Sequence, residues 1–201
     1  MALTEGELFT GFWEAAVQYL YNDANAPYGN CTFGIGHLMH MGRCVPQDLK
    51  TLASLTGTAY DQRVPYINVV ALFRQDYLQR RVHLNEQLLQ YGIHLPYPQL
   101  SALTDFVYEH GDGALAMSGI LAYLRGDNYT AVEYQLRNYV VYSPDRQGAE
   151  SYLFRTGNYQ AALAHSAGGV MPSTWRDFDW NPGWLSVCWA SHPNTIPWGT
   201  C

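Results

Sequence analysis

The sequence predicts an α+β fold that is mostly helical. Three observations carry this reading. Apolar residues recur at spacings of three, four and seven along most of the 201 residues, the period of helices that bury one side. Strand formers punctuated by glycine are confined to one stretch, residues 22–45. Proline and glycine cut the rest into helices of ordinary length.

Residues 4–21 read as the first helix. Leu8, Phe12, Ala15, Ala16 and Tyr19 share a side, and Thr4 with Glu7 forms a capping-box pattern at its start. Glu14 then falls late on that helix. Asn22, Asn25, Pro27, Gly29 and Asn30 are turn formers, so Asp23 begins a loop. Tyr28, Thr32, Phe33 and Ile35 favour strands, with Gly34 and Gly36 allowing close backbone approach. Pro46 opens a short helix through about Leu55. A long helix from Pro65 to Tyr91 turns Val69, Phe73, Tyr77, Leu84 and Leu88 to one side and carries Arg74, Arg80, Arg81 and Glu86 elsewhere. Such a helix can bridge two lobes or belong to one.

Pro96 and Pro98 start a second set of helices. Leu100, Leu103, Val107 and His110 mark one face of a central helix, with Phe106 beside it. Ser118 to Leu124 is a short helix, and Gly126-Asp127-Asn128 a turn. Val132, Leu136, Tyr139 and Val140 mark another helix. Ser143-Pro144-Asp145 breaks it and caps the next, which carries Arg146 and Leu153. Gly157-Asn158 precedes a last helix through about His165.

Composition narrows the function. Apolar residues make up 48% of the chain, enough for a sizeable core. No run of 18 apolar residues occurs, so no membrane span is expected. The N-terminus lacks a basic-then-apolar signal pattern, which leaves a removed signal, another delivery route or an excised domain. A net charge of −6 disfavours nucleic acid as a partner and does not help adsorption to anionic cell walls. It would suit a cationic polymer such as chitosan.

The chemistry gathers in WEAAVQYLYNDANAPYGNCTFGIGH, residues 13–37, with Glu14, then Asp23 nine positions on, then Thr32. Two carboxylates at a cleft edge suit glycoside hydrolysis. One stays protonated to serve the leaving oxygen, and the other stays ionised to stabilise the oxocarbenium-like state or help activate water. An isolated pair of acids at this spacing would more often be solvated surface groups.

The spacing Glu-x8-Asp followed by Thr-x-Gly-x-Gly-His resembles the active-site stretch of the phage-type lysozymes, glycoside hydrolase family 24. Further matches come in the same order. Phe73-x-Gln75-Asp76 resembles the family's inter-lobe helix. Leu103 to Gly111 resembles its buried helix, and Pro144-x-Arg146 with Phe154-Arg155-Thr156-Gly157 its C-terminal helices. The resemblance covers about residues 5–165. Three departures stand out: a longer loop between Asp23 and Thr32 than the family's commonest form, Glu109-His110 before Gly111, and no counterpart for residues 166–201.

The resemblance implies a two-lobed lysozyme-like fold over residues 1–167. It has an N-terminal lobe of about 13–65 with the small β region, a linking helix of about 65–91, and a helical lobe of about 92–167 on which the first helix packs. It implies a muramidase that cleaves peptidoglycan between N-acetylmuramic acid and N-acetylglucosamine, without metal or cofactor. Glu14 would be the acid, with Asp23 and Thr32 acting on water, which favours inversion. His37 would pair with Asp76 across the lobes, and Arg146 would sit beside the acid. Glu109 is a candidate substrate contact. His40 carries no signal.

The setting implied is an endolysin or a secreted antibacterial effector acting in the periplasm or cell wall, the latter with an immunity or inhibitor protein as partner. Rival readings are a chitosanase or chitinase, favoured by charge alone, and a catalytically inactive glycan-binding module, which the intact Glu14, Asp23 and Thr32 oppose.

Cys31, Cys44, Cys188 and Cys201 lack Cys-x2-Cys spacing, which argues against zinc. Two local disulfides, Cys31–Cys44 and Cys188–Cys201, are the simplest of three pairings. Residues 168–201 hold Trp175, Trp180, Trp184, Trp189 and Trp198. They read as a cysteine-stapled cover rather than a wall-binding element, since large aromatics are mostly buried.

Overall fold

The structure, a computed structural model, describes residues 2–14, 16–23, 29–59, 62–139, 143–172 and 176. Among them are nine helices and one three-stranded antiparallel sheet. The class is α+β, mostly helical. No helix among the described residues is long and apolar enough to cross a membrane. The chain divides into two compact units, one built on residues 14–76 and the other on 1–13 with 77–177.

In the first unit, β1 (Val17–Asp23), β2 (Asn30–Gly34) and β3 (His37–Met41) pair in sequence order. The β2–β3 turn needs left-handed backbone at Gly34 and Gly36, with φ of 65° and 69°, where a side chain would be strained. A Cβ at Gly34 would also stand 3.4 Å from Val69. Helix α2 (Asp48–Thr56) and the start of α3 (Tyr66–Gln90) complete the unit. Phe33, Ile35, Val64, Val69 and Phe73 are buried in it. Gln18 and Val64 bind each other's backbone, Val64 N–H to the Gln18 carbonyl at 3.0 Å and the Gln18 amide to the Val64 carbonyl at 2.9 Å.

The first helix is shorter than its apolar spacing suggests. Helix α1 ends at Trp13, and Val17 begins a strand. The spacing that extended it ran on through Ala16 and Tyr19, which instead lie just before and within β1, a strand whose pairing with β2 shifts register between Val17 and Leu20. The capping box is formed. The Glu7 carboxylate accepts from Thr4 N–H at 2.6 Å and from the Thr4 hydroxyl at 2.9 Å, and Glu7 N–H donates to that hydroxyl at 3.3 Å.

The second unit holds α1, the rest of α3, and six further helices: α4 (Tyr97–His110), α5 (Asp112–Met117), α6 (Ile120–Arg125), α7 (Tyr129–Asn138), α8 (Pro144–Thr156) and α9 (Tyr159–Ala167). Helix α4 is buried all round from Ser101 to Tyr108 rather than along one face, because α1, α5 and α8 all pack on it. Phe9, Leu88, Leu103, Phe106, Leu153 and Leu163 belong to its core. Helix α5 is an addition to the expected elements. Ser143 makes no side-chain cap at α8, which starts on Pro144 at its first position. Asn158 does cap α9, accepting from Ala161 N–H at 2.9 Å.

Beyond α9, Met171 N–H donates to the Gln160 side chain at 2.6 Å, and Gly169 lies so close to Phe12 that a Cβ there would stand 2.4 Å from the ring. The extension therefore starts out packed against α1 and α9. Trp175, Trp180, Trp184, Trp189, Trp198, Cys188 and Cys201 lie outside the described residues.

Cys31 and Cys44 form a disulfide. It spans 13 residues and ties β2 to the segment after β3. Closing a loop of this size in the unfolded chain is worth ~3 kcal/mol. Replacing both cysteines with Ser should lower the urea-derived stability by about that amount. An unchanged midpoint would show that the loop is held by its hydrogen bonds alone.

Candidate active site

Glu14, Asp23 and Thr32 all belong to the unit of residues 14–76. Glu14 occupies a half-buried bend just past the end of α1, not the helix itself. Asp23 is the last residue of β1 rather than the first of a loop, paired with Asn30. Thr32 is 6% exposed in β2 and pairs with Tyr21. Its hydroxyl lies 3.4 Å from the Asn30 carbonyl. Register makes positions 23 and 32 diagonal neighbours in the β1–β2 ladder. Asn25 and Pro27, turn formers of that reading, lie outside the described residues.

His37 opens β3 and meets Asp76 on α3, Nδ1 to Oδ2 at 2.7 Å, with both side chains 19% exposed. Both residues lie in the unit of residues 14–76, so the pair fastens sheet to helix inside one unit instead of joining the two lobes. Partial burial and a short contact should give a coupling of ~1 kcal/mol. A double-mutant cycle with His37→Ala and Asp76→Ala, read by denaturant unfolding, measures it. Additive effects would overturn the pairing.

In the other unit, Arg146 is 5% exposed and sits among four ionisable groups. Its Nε and Nη2 donate to Asp105 at 3.1 and 2.8 Å, a bidentate fork. Nε also lies 3.3 Å from Glu109 and 4.0 Å from Glu150. Asp105 and Glu150 are fully buried. Burial raises the Glu150 carboxyl well above the usual range, the Asp105 charge raises it further, and Arg146 only partly opposes. Burial and then Arg146 push His110 down to about 4, so its 3.8 Å approach to Glu109 is a neutral contact.

Arg146 and Glu109 were legible in the sequence, whereas Asp105 and Glu150 were missed. Their signal was the i,i+4 spacing of Asp105 with Glu109 on α4 and of Arg146 with Glu150 on α8.

Glu150 has a pH signature. A folded pKa raised above the unfolded one gives stability that is complete below the unfolded value and is lost as pH rises toward the folded value. Above about pH 4.3 the wild type should lose roughly 1 kcal/mol per pH unit against Glu150→Gln, which keeps the shape and a donor. Parallel stability curves for the two proteins from acid to neutral pH would show an ionised Glu150.

The family model for phage lysozyme matches residues 11–150. No curated protein matches the chain. The matched stretch contains Glu14, Asp23, Thr32, His37, Asp76, Glu109 and Arg146, and it spans both units and more than half of the 201 residues. The fold, with one small sheet ahead of a long helix and a helical second unit, agrees with that match, and the chain belongs to the phage lysozyme family.

Proposed function

We propose that the chain is an N-acetylmuramidase that hydrolyses the β-1,4 bond between N-acetylmuramic acid and N-acetylglucosamine in peptidoglycan. The observation that carries this reading is the family match over a stretch that keeps Glu14, Asp23 and Thr32 together. In this reading Glu14 protonates the leaving oxygen. Asp23 and Thr32 hold a water for attack on the sugar, the threonine by its hydroxyl, since it is no strong base. Glu109 is a further candidate substrate contact and Arg146, forked to Asp105, a supporting residue of the helical unit, while the His37–Asp76 pair keeps the sheet seated on α3.

The closed Cys31–Cys44 disulfide fits action in an oxidising compartment such as the periplasm or the cell wall, as a secreted antibacterial effector or an endolysin. As an effector it would have an immunity or inhibitor protein as partner. The test is clearance of a purified peptidoglycan suspension, with the released muropeptides identified by mass. Products ending in reducing N-acetylmuramic acid are expected. Intact peptidoglycan, or cleavage of chitosan instead, would overturn the reading.

A further inference from the structure

We propose that the reduced chain holds a zinc-class divalent cation between β2, β3 and the start of α2, with Cys31, Cys44, His40 and Asp48 as its ligands. The four residues are brought together by pairing rather than by sequence spacing. Cys31 and His40 are direct partners across the β2–β3 ladder. Cys44 is bonded to Cys31. Asp48 opens α2 and reaches back to His40. One ligand atom each from Cys31, His40 and Asp48 lie within 4.8 Å of one another. Bonds of about 2.3 Å to sulfur and about 2.0 Å to nitrogen or oxygen put tetrahedral ligands roughly 3.3–3.8 Å apart. The three atoms are therefore within about an ångström of that spacing, with Nε2 and Oδ2, 2.9 Å apart, parting slightly, and Cys44, bonded to Cys31 and released beside it on reduction, completes a two-thiolate, imidazole and carboxylate donor set.

The orientation of His40 is the second observation. Its Nδ1 faces the Met41 carbonyl at 3.0 Å and must donate there, since a carbonyl only accepts. In the neutral ring the lone pair is then on Nε2, which points at the Asp48 Oδ2 at 2.9 Å. An imidazole nitrogen and a carboxylate oxygen thus converge beside Cys31, and a backbone carbonyl on the other ring nitrogen is the arrangement that orients metal-bound histidines. Val45 N–H, 2.7 Å from the same Asp48 oxygen, fixes the carboxylate.

The redox step is balanced by a thiol or phosphine reductant. It delivers two electrons, two protons convert the disulfide to two thiols, and the cation then displaces both thiol protons and takes the lone pair of His40 Nε2. A chain in a reducing cytosol would thus have a metal staple where the exported chain has a disulfide.

The test uses the full chain reduced with a phosphine, titrated with Co2+ and then Zn2+, in a Cys188→Ser/Cys201→Ser background to silence the other thiols. Expected are one Co2+ per chain, the visible bands of tetrahedral Co2+, a thiolate-to-cobalt charge-transfer band, and loss of both on adding Zn2+. His40→Ala and Asp48→Ala should each weaken binding at least ~10-fold while circular dichroism reports an intact fold. The oxidised chain should show no charge-transfer band. Absence of that band after reduction, bands unchanged in both variants, or a reduced chain that unfolds and is not restored by either metal would each overturn the proposal.

Discussion

Glu14→Gln should cost roughly two to four decades of peptidoglycan hydrolysis and leave the fold intact. Glutamine keeps the size and hydrogen-bonding reach of the side chain but cannot give up a proton at the leaving oxygen. The loss corresponds to about 3–5 kcal/mol of barrier. The fold should tolerate the change, because Glu14 sits on a half-buried bend between α1 and β1, not inside either element. Thr32→Ala is the companion variant. Its hydroxyl makes a long 3.4 Å contact to the Asn30 carbonyl, so removal should cost little stability while removing a holder of water. Initial rates of turbidity loss, measured on variants with wild-type melting curves, separate the roles. Wild-type-like lysis by folded Glu14→Gln protein would remove it as the acid.

The sequence marked candidate residues more readily than the chain's path through them. The long helix α3 was readable end to end, because Val69, Phe73, Tyr77, Leu84 and Leu88 repeat at helical spacing and all are buried. The end of α1 was not, because Ala16 and Tyr19 continue the apolar spacing of Leu8 and Phe12 up to and into β1. Local periodicity cannot distinguish that from one more helical turn, and pairing with β2 decides it. Periodicity marked only Leu100, Leu103, Val107 and His110 on helix α4, and Ser101, Thr104 and Asp105 between them are polar by type. Each is instead buried with a partner: Tyr159 donates to Ser101 at 2.9 Å, Thr104 donates to the Leu100 carbonyl at 2.7 Å, and Asp105 holds Arg146. Polar residues lose their meaning as surface markers once tertiary partners satisfy them. The Cys31–Cys44 bridge was one of three pairings until the β2–β3 register drew its ends together.

Arg146→Met should be among the most damaging substitutions for stability in the helical unit, at ~3–5 kcal/mol. Methionine fits the space and helix propensity of arginine's stem, so the loss would not come from packing. It would come from Asp105, which is fully buried and receives both arms of the guanidinium. Without the cation, Asp105 faces Glu150 and the partly buried Glu109 with no compensating charge. A loss of this size is a large share of the 5–15 kcal/mol that typically holds a domain folded. Asp105→Leu alone should also be costly, since it takes the acceptor of both arms of the fork away from a buried guanidinium. The double variant Arg146→Met/Asp105→Leu removes both charges together and should recover much of either single loss, because a buried pair gives back little more than its own desolvation. Denaturant unfolding of the three proteins near neutral pH reads this directly. Purely additive losses would mean that the cluster is not organised around the Arg146–Asp105 fork.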